Sequence, residues 1–186
     1  MQLRIASEGD CVAFAEIYAP IVERTHISFE LVPPTAEEMA RRMFVALESY
    51  VWLVAEEAGR ISGYAYASKY RDKPAYLWST ETTIYVRDAF RGKGIGRLLY
   101  AALLRILAAQ NYRRAFAGIA LPNQGSIALH EAVGFRPIGT NPEAGFKFGR
   151  WHDLGWWSVQ LNDREGEPAP PVPLKDLGDL TRFMSR

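Results

Sequence analysis

Three glycines within five positions, in Arg91-Gly92-Lys93-Gly94-Ile95-Gly96-Arg97, stand between a strand-like run and a helix-like run and constrain the fold more than any other stretch. Before them, Thr80 to Val86 is rich in β-branched residues and reads as a strand. After them, Ile95, Leu99, Leu103 and Ile106 share one face of a helix that ends near Asn111. Glycine at a helix start costs backbone entropy, so three of them make sense if something must approach the main chain closely. Free amides at a helix N-terminus bind anions, phosphate above all. Arg87, Arg91, Lys93 and Arg97 against Asp88 leave a local charge of +3, which suits a diphosphate with a further phosphate. The other reading is a solvated basic turn whose glycines allow tight packing.

Spacing excludes two common phosphate motifs. A P-loop needs Lys and then Ser or Thr after its last glycine, whereas Arg97 and Leu98 follow Gly96. A dinucleotide fingerprint needs a third glycine or alanine three residues beyond the second, where this chain has Arg97 or Leu99.

The basic excess is local. Across 186 residues, 22 Lys and Arg face 21 Asp and Glu, a net charge of +1, so no nucleic-acid partner is expected. With 48% hydrophobic and 23% charged residues the chain has the composition of one ordinary globular domain. Cys11 is the only cysteine, which allows neither an internal disulfide nor a zinc site and suits the reducing cytoplasm. Glu8 and Asp10 follow the start at once, so no signal peptide is expected. The best apolar run, Leu98 to Ala109, is short and carries Arg105, so no membrane span is expected.

Along the chain, Leu3 to Ala6 reads as a strand, and Ser7 with Asp10 forms an acidic capping box for a helix from about Glu8 to Glu23. Thr35 with Glu38 caps a second helix running through Met39, Met43, Phe44 and Leu47. Val51 to Ala55 and Ile61 to Ala67 form a hairpin about Ala58-Gly59-Arg60, and Lys69 to Pro74 is a surface loop bracketed by Tyr70 and Tyr76. Ala115 to Ala120 is a strand; Asn123 caps a helix containing Ile127, Leu129, His130 and Val133 that ends at Gly134. Phe135 to Gly139 and Trp151 to Leu161 close the sheet. The order implies an α/β fold, α+β in looser terms, with a mixed sheet and helices on both faces. Residues 1–161 are expected to be one domain and the Pro-rich 162–186 a tail along the surface.

Arg91-x-x-Gly94-x-Gly96 after a strand resembles the signature of the GNAT N-acetyltransferase superfamily. The wider set of Glu81-Thr-Thr-Ile-Tyr-Val86, Leu121-Pro122-Asn123, Leu129-His130-Glu131-Ala132-Val133-Gly134-Phe135 and Gly145-Phe-Lys-Phe-Gly-Arg-Trp151-His152-Asp153-Leu-Gly155-Trp156-Trp157 resembles the phosphinothricin and methionine sulfoximine N-acetyltransferases, over residues 1 to about 165. The resemblance implies the GNAT fold, with a mostly antiparallel sheet. It also implies acetyl-CoA as co-substrate, a small amino-acid acceptor and a homodimer. Arg91, Gly92, Lys93, Gly94, Ile95, Gly96 and Arg97 would hold the pyrophosphate. The main chain at Ile84, Tyr85 and Val86 would receive the pantetheine arm and thioester carbonyl, and Asn123 would either contact the pantetheine or only cap its helix.

Acetyl transfer to an amine needs a base and donors that polarise the thioester carbonyl. Glu81, inside a strand of Thr, Ile, Tyr and Val, is the candidate base, because burial raises a carboxyl pKa. His130 is a candidate proton donor or relay to the leaving thiolate, or a packing histidine. Arg71 and Lys73 match the paired basic positions that bind the acceptor's anionic groups in the family, with Lys where a second Arg is frequent. They would otherwise be solvated loop charges. Phe29 matches an aromatic of the acceptor pocket, with core packing as the alternative, and Tyr76 is a further pocket candidate. Lys147, Arg150, His152 and Asp153 are read as a partner contact rather than a metal site, since adjacent strand residues face opposite sides. Other acceptors, a small amine or a protein N-terminus, and a non-catalytic acyl-CoA-binding module are the alternatives.

Overall fold

Leu53 and Ala55 pack in one core with Leu99, Leu103 and Ile106, whereas Trp52 and Val54, which alternate with them, pack in another with Phe14, Met39 and Met43. Alternate side chains of one strand thus enter two layers, and a sheet that buries both faces needs helices on both. The structure is a computed structural model and describes residues 1–163 and 166–184. Its strands are β1 (Gln2–Ile5), β2 (Trp52–Glu57), β3 (Arg60–Lys69), β4 (Ser79–Val86), β5 (Arg114–Ala120), β6 (Arg136–Lys147) and β7 (Arg150–Gln160). The helices are α1 (Cys11–Arg24), α2 (Ala36–Leu47), α3 (Ile95–Ala109) and α4 (Gln124–Ala132). The sheet order is β1-β2-β3-β4-β5-β7-β6, and β4–β5 is the single parallel pairing. This is the mixed, mostly antiparallel sheet expected from the sequence, with α1 and α2 on one face and α3 on the other.

Two elements depart from expectation. The strand expected over Phe135 to Gly139 runs instead as β6 from Arg136 to Lys147, through Pro137, Gly139, Asn141, Pro142 and Gly145. It accommodates them through register shifts at Pro137/Gly139 and Asn141/Gly145, which an edge strand tolerates. On α2, Met39 and Met43 are buried, but Phe44 is exposed.

The segment from 166 to 184 lies against the end of α3. Prolines leave carbonyls without neighbouring donors, and side-chain N–H groups supply them: the Gln110 amide Nε2 donates to Val172 O (3.0 Å) and the Trp78 indole Nε1 to Ala169 O (2.8 Å). Leu174 is buried in the α3-side core, so this segment contributes apolar contacts as well as lying on the surface. Residues 164, 165, 185 and 186 of the expected tail lie outside the described residues.

The capping box before α1 is present and is tied into the sheet. Asp10 Oδ2 accepts from Ser7 N (2.7 Å), and Arg4 donates to both carboxylate oxygens (2.7 and 2.8 Å). Burial alone would raise the Asp10 pKa, but the hydrogen bonds from Arg4 and Ser7 outweigh it and hold the carboxyl below its ordinary 3.8. A depressed pKa contributes stability above the unfolded value that is lost as pH falls through the folded one. Asp10→Ala should therefore cost about 2–3 kcal/mol in urea unfolding at pH 7, with the difference from wild type shrinking below pH ~4.

Candidate active site

β4 and β5 pair over Ser79–Glu81 and Arg114–Phe116 and then part, because β5 continues to Ala120 on β7 while β4 stays with β3. Every second main-chain amide of Thr82–Val86 faces this gap instead of a partner strand. A cavity of about 230 Å³ fills it, lined by Glu81, Tyr100, His130, Phe29, Asn123 and Trp156 among others. A second cavity of about 460 Å³ adjoins it and shares Ile84, Tyr85 and Asn123. Its other walls include Val86, Arg91, Gly92, Gly94, Ile95, Gly96 and Arg97.

The second cavity has the properties of an anion cradle. Gly94, with φ +80°, caps α3, and Gly92 has φ +74°, conformations that cost glycine little. The first amides of α3 have no intrahelical acceptor and lie at the positive end of the helix dipole. A Cβ on Gly96 would lie 2.8 Å from Leu129, so glycine there allows α3 to sit on α4. Lys93 stands outside the lining, with its ammonium 5.0 Å from the Phe90 ring.

In the first cavity, burial pushes the Glu81 carboxyl above its ordinary value, and the Arg71 guanidinium opposes the shift. His130 is buried and engaged at both nitrogens. Nδ1 lies 2.7 Å from the Ser126 carbonyl and Nε2 2.7 Å from the Tyr100 hydroxyl. A carbonyl can only accept, so Nδ1 carries the proton, and Nε2 of the neutral ring accepts from Tyr100. Burial lowers the His130 pKa and the Ser126 carbonyl partly offsets it, which favours that neutral state.

Asn123 caps α4, with Oδ1 accepting from Ser126 N (3.2 Å), and the residue also lines both cavities. The basic loop is divided. The Arg71 guanidinium lies 4.4 Å from the Tyr70 ring and 5.4 Å from the ring of Trp156, a lining residue. Arg71, Lys73 and Tyr76 are all exposed and outside both linings; Tyr70 and Tyr76 meet edge to face. Lys147 and His152 point inward at 5% and 4% exposure, which corrects their reading as partner-facing; Trp151 remains 58% exposed. Among the described residues no group of three or more His, Cys, Asp or Glu could hold a metal ion, and no helix is long and apolar enough to cross a membrane.

Sequence reasoning passed over Tyr100 and Trp156 as site residues. Tyr100 carries the one hydroxyl among the apolar side chains that α3 buries, a signal that periodicity alone counts as core.

Residues 3–156 match the family described as an acetyltransferase (GNAT) domain. The phosphinothricin N-acetyltransferase of Streptomyces viridochromogenes is 37% identical over 181 residues, 97% of this chain and 96% of that protein. The L-methionine sulfoximine/L-methionine sulfone acetyltransferase of Salmonella typhimurium is 34% identical over 170 residues, 91% of this chain and 99% of that protein. Among solved structures, a GNAT superfamily phosphinothricin acetyltransferase from Sinorhizobium meliloti in complex with AcCoA superposes with a TM-score of 0.86 at 36% identity, covering 91% of this chain and 94% of that one.

Proposed function

The chain belongs to the GNAT acetyltransferase family and is an acetyl-CoA-dependent N-acetyltransferase, and from that premise we propose that its acceptors are small amino acids with an anionic or strongly polar side-chain end, of the phosphinothricin, methionine sulfoximine and methionine sulfone type. The observation that carries this reading is a single cavity holding a half-buried carboxylate, Glu81, together with the Tyr100–His130 pair, with Arg71 near its wall and the anion cradle of α3 next to it.

Acetyl-CoA supplies the thioester, whose phosphates suit the amides of Gly94–Arg97 and the charges of Arg91 and Arg97. The amides of Ile84 and Val86, which face the gap, polarise the thioester carbonyl. Arg71 receives an anionic group of the acceptor, and Phe29 and Trp156 enclose its side chain. Glu81 takes a proton from the acceptor's ammonium, directly or through water, freeing the amine to attack. Tyr100 protonates the leaving thiolate: rotation about its C–O bond turns the hydrogen from His130 into the cavity, and the proton shed by the new amide nitrogen replaces it.

The same reading takes residues 1–161 as one catalytic domain and residues 162–186 as an appended tail. It includes a homodimer, supported by the exposed Ile138, Phe146, Phe148 and Trp151 about the edge hairpin, and a cytoplasmic setting, supported by the free Cys11.

The test is CoA release with acetyl-CoA and L-phosphinothricin, L-methionine sulfoximine, L-methionine sulfone or no acceptor, repeated for Arg71→Ala. Release with any of the three is expected, and Arg71→Ala should raise that acceptor's KM at least about tenfold, the loss of a charge-assisted contact worth ~1.4 kcal/mol. An unchanged KM would turn the reading toward another small amine or a protein N-terminus. Acetyl-CoA binding with no release for any amine would leave an acyl-CoA-binding module.

A further inference from the structure

Lys147, the last residue of β6, buries a cation that the acetyl-transfer chemistry does not use. An ammonium has three N–H donors, and all three are filled by main-chain carbonyls: Val22 O at 2.7 Å, Ser28 O at 2.8 Å and Glu30 O at 2.7 Å. Val22 lies in the last turn of α1, where carbonyls lack intrahelical donors and the helix dipole is negative. Ser28 and Glu30 flank Phe29, the ring that lines the smaller cavity. The segment between α1 and α2 has no regular structure here, and the ammonium takes the place of the donors that a strand or helix would supply.

Neighbouring contacts converge on the same segment. A Cβ on Gly145 would meet the Phe29 ring at 2.7 Å, so the ring rests on bare main chain two residues before Lys147. His152 Nε2 is 3.0 Å from Lys147 O, and its ring stacks on His26 with 4.6 Å between centroids. On the far side, Glu30 accepts from Arg42 Nη1 (2.7 Å) and Tyr18 OH (3.1 Å). A buried charge is expensive unless fully compensated, and an aliphatic side chain would fill the same space without that cost. The charge is therefore explained by the three carbonyls it gathers, and hence by the position of Phe29.

We propose that Lys147 is a positioning residue for the acceptor half of the site: it fixes the main chain at Ser28 and Glu30 so that Phe29 stays seated on Gly145 and shapes the acceptor pocket, while the acetyl-CoA cradle is independent of it. The inference rests on the assignment of the smaller cavity to the acceptor, but not on which amine that acceptor is.

The test uses the full chain and whichever amine the wild type turns over. Lys147→Met should raise the acceptor KM at least about tenfold, with the Kd for acetyl-CoA, read by calorimetry, within about twofold of wild type. Phe29→Ala should do the same. In the Phe29→Ala background, Lys147→Met should add less than about threefold, because the two changes act through one ring. Full additivity of the two effects, or an equal loss of acetyl-CoA affinity, would overturn the proposal and leave Lys147 a general structural cation. Should Lys147→Met not fold, Gly145→Ala carries the test by displacing the ring from below: a raised acceptor KM with unchanged acetyl-CoA affinity supports the proposal, and an unchanged KM overturns it. A wild type that turns over no amine refutes the catalytic reading, and this inference with it; an active wild type whose cycle is additive refutes this inference alone.

Discussion

Glu81→Gln should lower kcat by about 10²–10³-fold and leave the Kd for acetyl-CoA within about twofold of wild type. Glutamine keeps the shape of the side chain but cannot take a proton, and Glu81 stands at the last rung where β4 still pairs with β5, opposite Phe116. The strand pairing fixes its Cα at the mouth of the gap, so the substitution leaves the α3 cradle untouched. Two pH signatures follow from its environment. Burial raises the Glu81 pKa against the opposing charge of Arg71, so the acid limb of kcat/KM should lie above 4.5, the ordinary carboxyl value, and should vanish in Glu81→Gln. In the complex the acceptor's ammonium, which Glu81 deprotonates, is a nearer cation than Arg71, so the limb of kcat should lie below that of kcat/KM. The stability sign is the reverse of that for Asp10. A carboxyl whose folded pKa is raised is less willing to ionise in the folded state, and its charge destabilises the protein at neutral pH. Glu81→Gln should consequently melt no lower than wild type at pH 7. Wild-type turnover in this variant would move the base elsewhere.

The glycine turn and the carboxylate of Glu81 stand out in sequence because each breaks a local pattern. Three glycines at the start of a helix and one carboxylate in a β-branched strand are locally unfavourable, and such departures mark places where something other than folding is served. The remaining site residues break no local pattern. Tyr100 lies on the apolar stripe of α3, and only its contact with His130, thirty positions on, separates it from core. Trp156 lies in a strand rich in tryptophan. Lys147 reads as a partner contact in sequence because the carbonyls it binds are 117 to 125 residues earlier in the chain. Likewise, β6 extends past its expected end at Gly139, because prolines and glycines that would break a central strand are absorbed as bulges at an edge. Arg71, Lys73 and Tyr76 share one loop, yet the fold brings Arg71 alone beside the cavity wall, through aromatic contacts no spacing rule contains.

Tyr100→Phe should lower kcat about 10–100-fold with little change in KM for either substrate, through loss of the donor that protonates the thiolate. Tyr100 is fully buried, and burial above all drives its pKa well above that of ordinary tyrosine. The hydroxyl therefore stays protonated wherever the enzyme works, and the loss in Tyr100→Phe should be nearly independent of pH, unlike the loss in Glu81→Gln. Leaving-group chemistry separates a proton donor from a packing residue. A thiolate of lower basicity departs with less help, so with an acetyl thioester of a more acidic thiol the gap between wild type and Tyr100→Phe should narrow. A gap that is the same for both thioesters would reduce Tyr100 to a support for His130. Stability gives a second, independent reading. Removing the hydroxyl leaves His130 Nε2 buried without its donor, which should cost about 1–3 kcal/mol in urea unfolding, whereas the activity loss at 25 °C is measured on molecules that remain folded. The two losses have different origins, so changing His130 as well should abolish the stability penalty specific to Tyr100→Phe but should not restore turnover, because the cavity would still lack a hydroxyl to meet the thiolate.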